Sequence, residues 1–160
     1  MPLALLDAFI SGDLERARQL TDYTVPADFP GRVQSVLELR RMQVAADPAV
    51  APWSARAMVR REDRVMVGYI NFHGQPGVND IEAPDAAELG WSVFAAERRR
   101  GYATEAAQRL MDWARAEHGV RRFISSTTPD NTPSLRVHEK LGFRRTGQVV
   151  DGEIIFELHA

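Results

Sequence analysis

The sequence contains no cysteine. This excludes a disulfide framework, a thiolate metal site and a cysteine nucleophile, and it permits a reducing compartment, so the cytoplasm is the expected location. Long apolar runs are also missing, because no stretch approaches the roughly 18 apolar residues that a membrane span needs. The apolar segment Met1 to Ile10 contains Asp7 and has no positively charged leader. We therefore predict neither export nor membrane insertion.

Lysine is almost absent, since 19 of the 20 basic residues are arginine and only Lys140 is lysine. The net charge of −2 argues against a nucleic-acid partner, which calls for a strongly basic surface. The charges are nevertheless uneven. No Arg or Lys lies between Arg64 and Arg98, whereas five acidic residues do: Asp80, Glu82, Asp85, Glu88 and Glu97. The loop acids could attract a cationic amine, although a charge run is more often a solvated surface.

Several motifs with a known chemistry do not occur. The four histidines lack a metal-ligand spacing such as His-Glu-x-x-His, so no metal cofactor is predicted. The Gly-Lys-Ser/Thr ending of a phosphate-binding Walker loop is missing, as is the Gly-x-Gly-x-x-Gly fingerprint of dinucleotide sites.

A length of 160 residues with 44% hydrophobic and 26% charged residues predicts one globular domain over residues 1–160. Its first part, 1–50, is predicted to be helical. Apolar residues recur at helical spacing in Leu3 to Ile10, in Asp13 to Leu20 and from Val33 to Val44. A proline-containing connector, Thr24 to Gly31, lies between the second and third of these helices.

The remainder, 54–158, is predicted to form a sheet-helix core. Its elements are a hairpin of Ser54 to Arg60 with Val65 to Phe72, a strand Ala87 to Phe94, an amphipathic helix from Tyr102 to a cap at Gly119, a strand Arg121 to Thr127, a helix Asn131 to Lys140, and a final hairpin. Asp151-Gly152 between two β-prone runs is a strong hairpin signal. This order indicates an α/β (α+β) fold, with a mixed sheet and helices packed on it.

The segment Arg98 to Thr104 lies between a strand and the start of the amphipathic helix. Unpaired backbone N–H groups at such a helix start, together with the macrodipole, bind phosphate. Gly101 would let the backbone approach the anion, and the arginines would add charge-assisted hydrogen bonds. From these seven residues alone, a solvated basic turn is an equal alternative.

Two motifs carry a resemblance to a known family. Arg98-x-x-Gly101-x-Ala103 after a strand resembles the acetyl-CoA pyrophosphate loop of the GNAT superfamily of N-acetyltransferases, and Asn131-x-x-Ser134, followed by a helix that ends at Gly142-Phe143, is similar to that family's later motif. The likeness covers about residues 87 to 145. The local sequences Gly-Tyr-Ala-Thr-Glu-Ala and Asn-x-x-Ser-Leu-Arg-Val most resemble the branch of ribosomal-protein alanine N-acetyltransferases.

The resemblance implies a mostly antiparallel sheet with a splayed strand pair, flanked by helices. It also implies transfer of acetyl from acetyl-CoA to a primary amine, either a protein N-terminal α-amine or a small molecule, in a ternary complex. Acetyl-CoA would be held by Trp91, Val93, Arg98, Arg99, Gly101, Tyr102, Ala103, Thr104, Asn131 and Ser134. The strand at Trp91 to Val93 would carry a bulge and bind the acyl group through its backbone.

The resemblance further implies the catalytic residues. Glu88 is the candidate general base, unless it is a salt-bridged strand residue. Ser134 or His138 would protonate the thiolate, but His138 stands where many relatives have tyrosine and could simply be packed in the helix. This departure keeps open a catalytically silent acyl-CoA-binding module, and nucleic-acid binding through the arginines is a more distant alternative. A homodimer is one possible oligomeric state, because dimers are frequent in such families, but the sequence does not decide it.

Overall fold

The computed structural model describes residues 1–27, 29 and 31–159 and divides into two compact units, Met1–Tyr69 and Ile70–Ala160. The single domain over 1–160 stays a prediction. Asp28 and Pro30 of the predicted connector lie outside the described residues. No helix in the described part of the chain is long and apolar enough to cross a membrane.

The first unit is mainly helical up to residue 53. Its elements are α1 (Leu3–Ser11), α2 (Leu14–Gln19), α3 (Gln34–Ala46), β1 (Arg56–Val59) and the start of β2 (Met66–Phe72), with 3-10 turns at Gly31–Val33 and Pro48–Trp53. Helix α1 packs on α3 and buries Leu6 and Phe9 completely. The ring of Phe9 meets that of Phe29 edge to face at a centroid distance of 4.7 Å. These contacts give the first unit its own apolar core.

The second unit contains the end of β2 and the other elements of the chain. These are β3 (Ala86–Val93), α4 (Tyr102–His118), β4 (Arg122–Thr127), α5 (Thr132–Leu141), β5 (Arg144–Val150) and β6 (Glu153–His159), with a 3-10 turn at Ala95–Glu97. Helix α4 buries its apolar stripe and begins and ends at glycines, Gly101 and Gly119. Trp113 on this helix lies against Phe72, which in turn stacks on Phe123.

The six strands are ordered β1-β2-β3-β4-β6-β5 in one sheet. The pair β3–β4 is parallel, whereas β4–β6 and β5–β6 are antiparallel. The expected fold class, a mixed and mostly antiparallel sheet with flanking helices, is confirmed. Parallel pairing of β3 and β4 extends only from Ala86 opposite Arg122 to Glu88 opposite Ile124, although β3 continues to Val93 and β4 to Thr127. The two strands therefore separate after Glu88.

Strand β5 is longer than the sequence indicated. The β-prone run before Asp151-Gly152 covers only its end, at Val149 and Val150. The preceding residues, Arg144 to Gln148, are mostly polar and gave no strand signal. Gly147 has a φ of +88°, and the pairing register with β6 shifts between Arg145 and Val149. A bulge of this kind interrupts the alternation of side chains by which a strand is found in a sequence.

The small cluster beneath the β3–β4 pair should be sensitive to the loss of side-chain volume. Ile124 is fully buried against Ala86 and Ile155. We expect Ile124→Ala to lower the free energy of unfolding by about 2–5 kcal/mol, because it removes buried methyl groups and leaves a cavity. Val149→Ala is the control, since Val149 is 64% exposed and should change stability by no more than about 0.5 kcal/mol. Urea unfolding followed by tryptophan fluorescence measures both, and equal effects would contradict the packing described.

Candidate active site

A cavity of about 720 Å³ lies beside the end of β3 that extends past its pairing with β4. Its walls come from the end of β3, the loop and first turn of α4, and the first turns of α5. The lining residues are Trp91, Ser92, Val93, Ala95, Glu97, Arg98, Arg99, Arg100, Gly101, Tyr102, Ala103, Thr104, Asn131, Thr132, Pro133, Ser134, Arg136, Val137 and Lys140. The structure thus brings together all ten residues that the sequence predicted to bind the cofactor.

The loop before α4 presents its backbone to the cavity. Gly101 occupies the left-handed region at a φ of +87°, and a Cβ placed on it would meet no atom within 4 Å. No side chain caps this helix start, and the first turn donates no N–H before that of Glu105, which binds the Gly101 carbonyl at 3.0 Å. The N–H groups of Tyr102, Ala103 and Thr104 therefore remain available at the positive end of a 17-residue helix.

The three arginines before α4 have different surroundings. Arg98 Nε donates to the Val93 carbonyl at 3.1 Å, which ties the loop to the end of β3. Arg100 pairs with Glu97 at 3.4 Å. Arg99 has a φ of +65°, an uncommon conformation for a residue other than glycine. All three are exposed and line the cavity.

Two further cations on the cavity wall were not predicted as site residues. Arg136 and Lys140 lie one turn apart on α5 and face the same cavity as the arginine loop. With the three arginines they make five cations against one acid, Glu97, among the lining residues. The helical spacing of Pro133, Arg136, Val137 and Lys140 could have revealed this face, because residues three and four apart share one side of a helix. The wall is suited to a polyanion.

Asn131 and Ser134 lie at the start of α5. Asn131 caps the helix, since its Oδ1 accepts a hydrogen bond from the Ser134 N–H at 3.4 Å. This contact is the ordinary role of an asparagine at a helix start. Ser134 itself lines the cavity, as do Trp91 to Val93 of the unpaired stretch of β3.

His138 is on the same helix but does not line the cavity. Its ring is fully buried, stacks on Phe156 at 4.1 Å and meets Trp91 at 5.1 Å, while Nε2 lies 3.0 Å from Ser125 Oγ. Burial lowers the pKa of His138 from 6.5 to about 4, and the backbone of Ser134 acts weakly in the opposite direction. The imidazole is therefore neutral at pH 7 and packed beneath Trp91.

Glu88 is fully buried at the last paired position of β3 and does not line the cavity. Its Oε2 accepts a hydrogen bond from the Asp80 N–H at 2.7 Å and lies 3.6 Å from His73 Nδ1. Its Oε1 is buried without a hydrogen-bond partner among the described residues. Burial raises the pKa of Glu88 from 4.5 to about 7; the Asp80 N–H opposes this rise, whereas the Asp80 carboxylate adds to it.

The acidic loop is partly neutralised. Asp85 forms an ion pair with Arg122 at 3.0 Å, so part of its charge is neutralised within the chain. Asp80 is exposed and lies in a group with His73 and Glu88, whose potential ligand atoms are all within 4.8 Å of one another. The sequence did not indicate this group, because His73 and Glu88 are 15 residues apart and meet only through strand pairing.

A family model for the acetyltransferase (GNAT) domain matches residues 5–144. The chain belongs to this family. A curated relative, the uncharacterised N-acetyltransferase YnaD of Bacillus subtilis, is 32% identical over 90 residues, which are 56% of this chain and 49% of that protein. The chain thus spans about half the length of this relative.

Solved structures show the same fold. A GNAT-family acetyltransferase from Bacillus anthracis is similar with a TM-score of 0.58 and 27% identity over 74% of this chain and 72% of that one. The microcin C7 self-immunity acetyltransferase MccE, solved in complex with acetyl-CoA and AMP, is similar with a TM-score of 0.60 and 15% identity over 99% and 89% of the two chains.

Because His138 is buried in its neutral form, we expect the free energy of unfolding to fall in acid. A pKa of about 4 in the folded state, against 6.5 in the unfolded state, makes the unfolded state bind the proton first. Its contribution is fully present above pH 6.5 and is lost as the pH falls toward 4, by a total on the order of 3 kcal/mol. Urea unfolding at pH 7, 6 and 5 should show this loss in the native chain and a smaller one in His138→Gln. Parallel pH dependences in the two proteins would contradict the assignment.

Proposed function

We propose that this chain binds acetyl-CoA in the cavity between β3 and α5 and transfers its acetyl group to a primary amine within a ternary complex. The observation that carries the proposal is the cavity wall, where three available N–H groups of α4 stand beside five cations. A diphosphate bound there would be held by helix dipole, backbone donors and charge together. Bound acetyl-CoA supplies an acyl group activated as a thioester.

Residues of this chain would then hold the bound acetyl-CoA from two walls of the cavity, the end of β3 and the start of α5. Beyond Glu88 the backbone groups of β3 that face β4 have no partner in that strand, so the N–H groups at Trp91 and Val93 are available to the pantetheine and the acyl oxygen. Such preorganised donors are the usual means of stabilising developing charge in acyl transfer. Asn131 and Ser134 would bind the pantetheine arm from the opposite wall.

For the departing thiolate we favour Ser134 over His138. Ser134 lines the cavity, whereas His138 is fully buried and its pKa of about 4 leaves no proton to donate at pH 7. The hydroxyl of Ser134 can donate a hydrogen bond to the sulfur, which makes it the better placed of the two candidates. His138 would serve as packing beneath Trp91.

Glu88 is the proposed general base. Its pKa of about 7 suits this role, because a base works best when its pKa lies near the working pH. The local sequences Gly101 to Ala106 and Asn131 to Val137 support the branch that acetylates ribosomal-protein N-termini, so a protein α-amine is the first acceptor to test and small amines are the second. Release of free thiol from acetyl-CoA with a panel of both tests the function. Tight CoA binding with no thiol release for any amine would favour a silent module.

Gly101 and Gly119 provide a matched test of the phosphate site. Both begin or end α4 in the left-handed region, and a Cβ on either meets no atom within 4 Å. Each change to alanine should therefore cost a similar 1–2 kcal/mol or so of stability through backbone strain. Only Gly101→Ala should also weaken CoA binding, by about tenfold or more, because only Gly101 lines the cavity. Calorimetric titration with CoA measures this, and equal affinities of the two variants would remove the loop assignment.

Glu88→Gln should raise the stability of the fold at alkaline pH and lower the turnover. The carboxyl has a higher pKa folded (about 7) than unfolded (4.5), so its contribution to stability is present below pH 4.5 and lost as the pH rises through 7. The variant lacks this ionisation and should be more stable than the native chain at pH 8, by on the order of 1–3 kcal/mol. Its turnover should fall about 10²-fold or more, since a general base is lost. A variant that is both less stable and fully active would overturn the assignment.

A further inference from the structure

The proposed base has no direct route to an amine. Glu88 is 0% exposed, does not line the cavity, and keeps Oε1 buried without a partner among the described residues. A proton taken from an acceptor must therefore reach this carboxylate through a neighbour. The side chains around it decide which neighbour can do so.

Two neighbours of Glu88 reach solvent, the exposed Asp80 and His73, and only His73, directly after β2, has a ring that can accept one proton and release another. Its backbone N–H donates to the Glu88 carbonyl at 2.8 Å, which fixes it opposite the base, and its Nδ1 lies 3.6 Å from Glu88 Oε2. The side chain of His73 is 28% exposed, whereas that of Glu88 is buried completely. His73 therefore connects the buried carboxyl with the surface.

The second ring nitrogen lies toward the acyl site. A Cβ built on Gly90 would be 3.5 Å from His73 Nε2, so this nitrogen lies over Gly90. Gly90 is two residues after Glu88 on the same face of β3 and directly precedes Trp91, where the cavity begins. The imidazole thus spans the distance from the base toward the end of the strand that lines the cavity.

From this arrangement we infer that His73 relays the proton of the acceptor amine to Glu88, so that the general base is a histidine–carboxylate pair. The inference rests on the proposed acetyl transfer. An imidazole can accept a proton on one nitrogen and release another from the second, which is what a relay requires.

The transfer balances in protons and charge. The ammonium of the acceptor gives a proton to His73 Nε2, the proton on Nδ1 passes to Glu88 Oε2, and the products are a free amine, a neutral imidazole of the other tautomer and a neutral carboxyl. One positive and one negative charge disappear together. This neutralisation is favourable in a buried site, where separated charges are poorly solvated.

Other charged groups around the pair set its titration. Asp80, from the loop, donates its backbone N–H to Glu88 and places its carboxylate beside both members. Ser126 of β4 also contacts Glu88, and its hydroxyl donates to Glu153 of β6 at 2.6 Å. The negative charge of the nearby Asp80 carboxylate stabilises a proton bound to the His73–Glu88 pair.

The first test does not depend on activity. The titration of the His73 ring, followed by nuclear magnetic resonance, should move to lower pH in Glu88→Gln, because the carboxylate that stabilises the imidazolium is gone. The resonances of the exposed His159, which lies beside Glu157, serve as the internal control and should be the same in both proteins. An unchanged His73 curve would show that the two groups are not coupled and would overturn the inference, whether or not the chain proves to be an acetyltransferase.

The second test is kinetic. His73→Gln should lower kcat on the order of 10²-fold and leave KM for acetyl-CoA unchanged, since His73 is outside the cavity. The acid limb of its pH profile should change, because the relay needs a neutral imidazole as well as an ionised Glu88, whereas the variant retains only the titration of Glu88. His159→Gln should behave as the native chain. A native kcat and pH profile in His73→Gln would overturn the relay, whereas an inactive native chain would overturn the proposed function instead.

A third measurement addresses the alternative that the same group holds a cation. Calorimetric titration with zinc chloride or manganese chloride should show either no binding to the native chain or binding that is unchanged in His73→Gln. Binding lost in that variant would mean that His73, Asp80 and Glu88 are ligands. A metal would then occupy the positions between which the proton is proposed to move, and the relay would be wrong.

Discussion

The early end of the parallel pairing between β3 and β4 is the constraint on which the site depends. Three residue pairs join the strands, and after Glu88 they separate. The separation frees backbone groups of β3 beside the cavity. It also leaves the last paired position as a fully buried carboxyl immediately before the opening. A longer ladder would satisfy those backbone groups and close the cavity at the same time.

Much of this could be read from the sequence because the informative signals are local. Gly101 and Gly119 mark the ends of α4, and the Arg98 to Thr104 segment between strand and helix indicates an anion site without any knowledge of tertiary contacts. The same holds for Asp151-Gly152, whose positive φ values form the turn of the last hairpin. Local backbone chemistry was sufficient for the helix ends and the turn, whereas the anion site stays a prediction.

The features that escaped prediction depend on distant residues. Whether His138 faces the cavity or the core is decided by Trp91 and Phe156, which enclose it, and nothing in its own helix distinguishes the two. The contact of His73 with Glu88 arises from strand pairing across the loop between β2 and β3, and β5 was shortened in the prediction by its bulge at Gly147. Burial and register are properties of the packed chain, so spacing alone does not determine them.

The scarcity of lysine in the sequence has a practical consequence, because Lys140 lies at the proposed binding site. It is the only lysine of the chain, it is exposed, and it lies on the cavity wall. Arginine, which supplies the other cations, is not acylated under the conditions that modify an amine, because its guanidinium stays protonated. A reagent that acylates lysine would therefore mark the cavity and no other side chain of the sequence. The chain thus carries a single built-in attachment point for a spectroscopic reporter at its proposed binding site.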